Sequence, residues 1–363
     1  MIAEILGSIW QQRGNVVNTN DILKVGIAGY GVVGKRRHTF IDEHSNLKTI
    51  AVCDQYFKGA GVLENGIRYY QSYERLIEEP LDVLFVCLPN YMATEVTIAG
   101  LEKGMHVFCE KPPGCVVGDV ERVIEVERKN PGLLLKYGFN HRCHDSVRKA
   151  LEIINSKTLG NIFCLRGVYG KSKIHAFTGG WRAERKYAGG GILLDQGIHM
   201  VDLMRLFCGD FAEVKSFVSN KFWKHDVEDN AYALMKDSQG RVAMLHSSAT
   251  QWQHRFSLNI ALTEGYLELQ GILTSSQSYG QESLIIGRRD ESDYGTLRYE
   301  TLRYLQDNSW REEIDEFAAA IVKGGRITNG SSLEALETMK LVYRIYYADS
   351  EWREKYGIQN PDG

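Results

Sequence analysis

The sequence predicts an α/β chain in two parts. A doubly wound parallel sheet comes first, followed by an α+β portion built on an open, mostly antiparallel sheet. Three features predict this. Short continuous apolar runs alternate with amphipathic stretches over roughly the first 140 residues. Hairpin signals then replace that alternation. Helical periodicity returns near the C-terminal end.

In the first part, "LKVGIAG", "TIAVCD", "DVLFVCLP", "MHVFCE" and "LLLKYGFN" are rich in Val, Ile, Leu and Phe. Between them, "VVGKRRHTFIDEH", "SYERLIEE", "ATEVTIAGLEKG" and "GDVERVIEVERKN" carry helical patterns. Continuous rather than alternating strands mark a parallel sheet covered on both faces. "HDSVRKALEIINSKTLG" reads as a helix ending at Gly160. Beyond it, "NIFCLRGVYGKS", "EVKSFVSNKFW", "NAYALMKDSQGRVAMLHSSATQW" and "FSLNIALTEGYLELQGI" read as strands, with "DSQG" and "TEG" as tight turns. "SWREEIDEFAAAIVKGG" and "LEALETMKLVYRIYYADSE" are helical. The expected partition is an N-terminal extension over 1–20, a dinucleotide-binding domain over 21–142 and a substrate-binding and oligomerisation domain over 143–363. The last helices are expected to pack back on the first domain.

Composition narrows the function classes. The 363 residues are 44% hydrophobic and 25% charged with a formal charge of −3, which offers nothing to a polyanion. The basic run "GKRRH" is too short to form a nucleic-acid stripe. No apolar run reaches the length of a membrane span. "MIAEILGSIWQQRGN" lacks a basic start and a cleavage site, and reads as a short helix or arm. Seven cysteines without a CxxC pair argue for a reducing, cytoplasmic setting. "HRCH" (His141 to His144) has metal-ligand residue types but no second cluster at zinc spacing, so no metal is expected.

The first chemical motif is "VGIAGYGVVGKRR", with Gly29, Gly31 and Gly34 in G-x-G-x-x-G spacing after an apolar strand and before a helix. Gly29 permits the tight turn, Gly31 the approach of a pyrophosphate, and Gly34 close packing of helix on strand. The loop Gly29, Tyr30, Gly31, Val32, Val33 and Gly34 would then bind the cofactor, with helix N–H groups on the diphosphate. Asp54, about twenty residues on, suits the adenosine ribose hydroxyls and favours NAD, with NADP possible. Lys35, Arg36, Arg37 and Lys58 nearby weaken that preference, since a guanidinium suits a 2′-phosphate or an adenine face.

"FCEKPPG" sets Glu110, Lys111 and Pro112 at the carboxyl end of a parallel strand, where ligands bind in such sheets. "GGGILLDQGIHMVDL" reads as a buried apolar helix that nevertheless carries Asp195, His199 and Asp202. Asp195 and His199 lie four apart, on one helix face.

The order GxGxxG, "LPN", "CEKP", "GFNHR", "WRAE" and "GGGILLDQGIHMVDL" resembles the glucose–fructose oxidoreductase/inositol dehydrogenase (Gfo/Idh/MocA) family from Leu23 onward. The resemblance implies a Rossmann domain, a largely antiparallel second domain, and an active site in the cleft between them. It places the family's lysine on Lys111, its aspartate on Asp195 and its histidine on His199. It also implies that Leu88, Pro89, Asn90 and Glu110 line the cofactor. Asn140, Arg142, Trp181 and Arg182 would flank nicotinamide and substrate. Hydride chemistry supplies roles: His199 as base, Lys111 stabilising the alkoxide, Asp195 orienting a neighbouring hydroxyl. Asp202 stays outside the core site, either steadying the imidazole or bonding an arginine.

Two positions depart from the family pattern. Tyr91, Met92 and Ala93 stand where relatives often carry a histidine, and so does Arg37. The expected reaction is hydride transfer between NAD(P) and a secondary alcohol or ketone of a sugar. Lys171, Lys173 and His175 in "KSKIHAFTGGW" suggest a nucleotide-activated or amino sugar, while Tyr169 and Trp223 are further pocket candidates. Alternatives are an inositol or polyol dehydrogenase, an NAD-dependent glycoside hydrolase acting by transient oxidation, and a non-catalytic NAD-binding regulator. The resemblance also implies a homodimer or homotetramer through the second-domain sheet.

Overall fold

The computed structural model describes residues 22–174, 179–274, 278–290 and 295–363. The proposed extension over 1–20 and His175 lie outside the described residues. The chain divides into two compact units. The first holds residues up to Pro113, then Gly118–Gly138 and Trp310–Ala335; the second holds Gly114–Val117, Phe139–Ser309 and Leu336–Gly363.

The first unit is built on seven strands: β1 (Leu23–Ala28), β2 (Leu47–Cys53), β3 (Ala60–Val62), β4 (Arg68–Tyr70), β5 (Val83–Val86), β6 (His106–Glu110) and β7 (Leu135–Gly138). Their order is β3-β4-β2-β1-β5-β6-β7, parallel throughout except for β3 against β4. Strand order reverses at β1, so the loop after β1 opens at a topological switch point. The continuous apolar runs are explained by burial on both faces: every residue of β5 and of β7 is buried. Phe85 and Phe108 stack at 4.9 Å, and Phe317 meets both edge-on at 6.1 and 5.7 Å. Phe317 belongs to the late helix Ser309–Val322, which also adds Ile314, Ala318, Ile321 and Val322 to this cluster. Each of these buried side chains other than Ala318 stabilises the unit by about 1.5–3 kcal/mol.

The second unit carries an eight-stranded sheet: β8 (Ile162–Ser172), β9 (Phe211–Ser219), β10 (Asn230–Asp237), β11 (Val242–Gln251), β12 (Arg255–Leu262), β13 (Gly265–Gln270), β14 (Glu282–Arg289) and β15 (Leu297–Tyr304). The order is β15-β14-β13-β12-β8-β11-β10-β9, with only β8 and β11 parallel. Thr263 and Glu264 turn β12 into β13, with Leu262 opposite Gly265. Gly240, at φ +84°, turns β10 into β11. One face of the sheet packs on the helix Ile198–Cys208, where Gly167 of β8 leaves room for the Met200 and Met204 side chains.

The structure differs from the sequence reading in four places. The helix Asp145–Ser156 stops at Lys157, left-handed at φ 58°, three residues before Gly160. β3, β4, β14 and β15 carry no clear alternation and were not anticipated; β15 exposes most of its residues. The long stretch of the second unit starts at Phe139 rather than residue 143, and Gly114–Val117 also belong to that unit. Of the terminal helices, only the first belongs wholly by its core to the first unit; from Leu336 the chain belongs to the second. Polar anchors hold it there: Thr338 donates to Asp202, Tyr346 donates to Glu228, and Ser216 donates to the Ile345 carbonyl.

Candidate active site

In the first unit, the glycine loop has the shape a diphosphate needs. Gly29 sits at φ +90°, its N–H bonds the Cys53 carbonyl at 2.9 Å, and a Cβ there would strike the Cys87 carbonyl. Gly34 packs so tightly that a Cβ would overlap the Gly29 carbonyl. Gly31 is different: a Cβ there would meet nothing within 4 Å. The space in front of Gly31 is an open cradle of the kind that the close approach of a pyrophosphate requires. Val32, at the start of the helix Val32–Glu43, is 82% exposed beside it, and Val33 is also exposed. Asp54 follows β2 and accepts from the Tyr30 N–H (2.9 Å) and the Tyr56 N–H (3.1 Å). Leu88 and Pro89 follow β5, and Pro89 precedes the helix Asn90–Glu102, whose first residue is buried.

Arg37 departs from its expected role. It is fully buried, with Nε 2.7 Å from Glu110 and Nη2 2.7 Å from Glu313. Its guanidinium lies 4.4 Å from the Phe108 ring and 4.2 Å from the Trp310 ring. A cation so enclosed is not available to an adenine or a 2′-phosphate. Glu110, expected along the cofactor, uses Oε1 to hold Arg37, and Lys111 follows it directly at the end of β6. Glu313 has its carboxyl pushed up to about 7 by burial, against the pull of Arg37 and Lys136.

In the second unit, the predicted uniform helix begins as a π-helix, Leu193–Gly197, and becomes α-helical over Ile198–Cys208. Asp195 lies in the wide turn and His199 in the α-turn that follows. Such insertions cluster at functional sites. The three glycines 189–191 are demanded by contacts: a Cβ at Gly189 would strike the Cys115 carbonyl, at Gly190 the Tyr346 hydroxyl, and at Gly191 the Glu228 carbonyl. Glu228 holds the entry to the turn, accepting from the Gly191 N–H (2.7 Å), the Leu193 N–H (2.9 Å) and the Tyr346 hydroxyl (2.6 Å). Burial raises its carboxyl, opposed by Tyr346 and Arg185. The sequence reading missed Glu228; the signal was an acid beginning "EDNAYAL", where an apolar strand starts.

His199 is buried among rings: Phe139 edge-on at 6.4 Å, Tyr169 at 6.5 Å and His141 at 3.7 Å. Arg182 brings Nε to 3.9 Å from Asp195 and lies 4.2 Å over the Trp181 ring, in the short turn Trp181–Ala183. Tyr169 and Tyr279 are raised by burial, and the Asp195 charge contributes to both. Asp202 takes its structural alternative. It accepts from Arg142 Nε (2.7 Å) and Nη2 (2.6 Å) and from Thr338 (3.1 Å). Arg142, expected to flank substrate, is therefore a buried guanidinium engaged bidentately with Asp202. Asn140 is buried and donates to Ser309 at 3.0 Å. Of the "HRCH" side chains, His144 bonds Glu282 at 2.7 Å, and His141 bonds Asn140 and Tyr169.

Residues 23–138 match the oxidoreductase family with an NAD-binding Rossmann fold, and residues 147–268 match the GFO/IDH/MocA C-terminal domain. The chain belongs to the GFO/IDH/MocA family. It is thus an oxidoreductase with an NAD(P)-binding first unit. Similar family members include D-glucoside 3-dehydrogenase of Escherichia coli (strain K12), 29% identical over 259 residues, 67% of this chain and 72% of the relative. D-xylose 1-dehydrogenase (NADP(+)) 2 of Haloferax volcanii is 24% identical over 323 residues, 88% of this chain and 95% of the relative. Among solved structures, levoglucosan dehydrogenase in complex with NADH and L-sorbose shares the fold. Its TM-score is 0.79 at 18% identity, covering 92% of this chain and 98% of that one.

Proposed function

We propose that the chain transfers a hydride between NAD(P) and a secondary alcohol or ketone of a sugar or polyol, using Lys111, Asp195 and His199. The observation that carries this reading is the pairing of Asp195 and His199 on successive turns of a helix whose entry is built by Gly189–Gly191 and Glu228. Polar groups on an otherwise apolar helix are costly to bury unless partnered or used, and His199 is buried. The sugar and inositol relatives support the substrate class.

The loop Gly29–Gly34 would hold the diphosphate, Asp54 the adenosine ribose, and Leu88, Pro89, Asn90 and Glu110 would border the rest of the dinucleotide. Trp181, Arg182 and Asn140 would border nicotinamide and substrate. The dinucleotide, when bound, supplies the hydride acceptor or donor. The protein's part is acid–base and positional. His199 takes the hydroxyl proton as the C–H bond breaks, Lys111 stabilises the negative charge growing on that oxygen, and Asp195 accepts from an adjacent hydroxyl to fix the reacting carbon. Asp54, together with the enclosure of Arg37, favours NAD over NADP.

A panel of methyl β-D-glucoside, D-xylose, myo-inositol and UDP-glucose, read by NAD(P)H absorbance, tests the substrate class. Turnover of at least one, reduced about a hundredfold or more by Lys111→Ala or His199→Ala, is expected. No turnover on any of them sinks the reading. UDP-glucose tests the nucleotide-sugar version suggested by Lys171 and Lys173; Lys173 lies 3.5 Å over the exposed Trp252 ring. Product without net NADH would instead favour transient oxidation and elimination. Gly31→Ala should leave thermal stability unchanged and weaken dinucleotide binding about tenfold or more, because its Cβ fills only the cradle.

The open sheet face is proposed to bury itself against a second copy of the chain. Phe217, Tyr232, Leu234 and Met244 are exposed there, with Tyr232 opposite Phe217 and Leu234 opposite Met244. Leu234→Glu should lower the mass measured by light scattering; an unchanged mass would remove this face from the interface.

A further inference from the structure

The His141 imidazole lies flat on the His199 imidazole, with centroids 3.7 Å apart and 12° between planes. Both residues are buried. A ring torsion of this kind is broad and roughly two-fold in isolation, so an imidazole on its own samples many planes. Here His199 has a parallel ring on one side and the edge of Phe139 on another.

His141 is itself tethered at both nitrogens. Nδ1 is 3.2 Å from Asn140 Oδ1, and Nε2 is 3.2 Å from the Tyr169 hydroxyl. Asn140 donates through Nδ2 to Ser309, which turns its carbonyl oxygen toward His141. Tyr169 stands on β8 with Phe256 edge-on at 5.4 Å and Tyr279 at 5.2 Å, and Tyr279 in turn donates to Gln196 at 2.9 Å. Gln196 is the residue after Asp195. The support for His199 thus begins on the turn Asn140–Cys143, crosses the sheet through Tyr169, and returns to the π-helix. With both nitrogens met, the plane of the His141 ring is fixed.

We propose that His141 is a positioning residue for His199: its tethered ring fixes the plane in which the neighbouring imidazole takes the proton. The inference rests on the reading of His199 as the base. Misplacement of a reacting group by about an ångström costs up to about a hundredfold in rate. The effect belongs in kcat, because binding of the polyol does not require a fixed imidazole plane.

The test uses the full chain with 13Cε1-labelled histidine, together with turnover of whichever of methyl β-D-glucoside and myo-inositol the wild type oxidises. The His199 Cε1–H signal, assigned by its loss in His199→Gln, should lie upfield from the stacked ring's current. His141→Ala should move it downfield and lower kcat about tenfold to a hundredfold, with KM within about threefold. His141→Phe keeps a flat ring but loses both tethers, and should retain part of the upfield shift with a kcat between those of His141→Ala and the wild type. Tyr169→Phe removes one tether without opening a cavity beside His199, so it serves as the second variant should His141→Ala fail to fold, and should give an intermediate shift and kcat. Unchanged kcat in His141→Ala or in Tyr169→Phe, a loss confined to KM, or His141→Phe as slow as His141→Ala would each overturn the proposal. His199→Ala with wild-type turnover would instead overturn the assignment of the base, and the positioning role with it, while the shifted signal would still report the stack.

Discussion

Arg37 in the first unit and Arg142 in the second are both buried guanidiniums, but Arg37 lies between two carboxylates whereas Arg142 faces one. Arg142 and Asp202 form a balanced bidentate pair, closed by the Thr338 hydroxyl. Arg37 is shared by Glu110 and Glu313, with Lys136 contributing at longer range and itself bonded to Glu316. Burial drives the Glu313 carboxyl toward protonation against the pull of the shared cation, and the charge of the part-buried Glu110 adds to that rise. The balanced cluster is a fixed strut. The unbalanced one is sensitive to pH, and it adjoins the motif that carries Lys111.

The largest break in this comparison is Asp202→Ala. It strands Arg142 as a buried charge and should cost about 3–5 kcal/mol in urea unfolding. A double change to Arg142→Met with Asp202→Leu should recover much of that loss; no recovery would mean that the pair does more than neutralise itself. Next is Arg37→Met, expected to cost about 3 kcal/mol at about pH 8 and less at about pH 6, where Glu313 takes up a proton. Equal losses at both values would contradict the shared-cation account.

Glu313→Gln sharpens the contrast. A carboxyl raised in the folded state from 4.5 to about 7 binds more protons folded than unfolded between those values. Stability therefore falls as pH rises through that window. Glu313→Gln should flatten the fall, by an amount on the order of 1–3 kcal/mol across the window. A wild-type slope in the variant would move the titration elsewhere. The smallest effect is expected for Thr338→Val, which removes one hydroxyl from the balanced cluster at about 1 kcal/mol, with no dependence on pH over the same range. A loss much larger than this would show that the hydroxyl does more than close the Arg142–Asp202 pair.

Most of the first unit was legible because parallel strands buried on both faces write themselves as unbroken apolar runs. The glycine loop was legible because each glycine answers a separate steric demand. Arg37 was misread because "GKRRH" looks like a solvated basic run. A signal was nevertheless present: Gly34, Arg37 and Ile41 are the buried stripe of that helix, at a spacing that turns Arg37 inward. The π-turn under Asp195 left no trace, since an added residue in a turn shifts the apolar period too little to detect in so short a stretch. "HRCH" drew attention for metal-ligand residue types, while its partners, Tyr169, Asn140 and Glu282, are scattered through the sequence. β14 and β15 were hidden for a related reason: β15 faces solvent along most of its length and needs no alternation.

The first unit's core is assembled from three stretches of chain, and the last arrives late. Ile314, Phe317, Ala318, Ile321 and Val322 enter the same cluster as Val25, Phe85 and Phe108. During synthesis, Phe85 and Phe108 therefore leave the ribosome long before Phe317 and its aliphatic neighbours, with the eight strands of the second sheet translated in between. An N-terminal fragment that ends before Trp310 therefore lacks part of the nucleotide-binding half's own core. Residues Trp310–Val322 act as a closing latch, and a nascent chain arrested before them would hold an unsealed hydrophobic surface for chaperones to recognise.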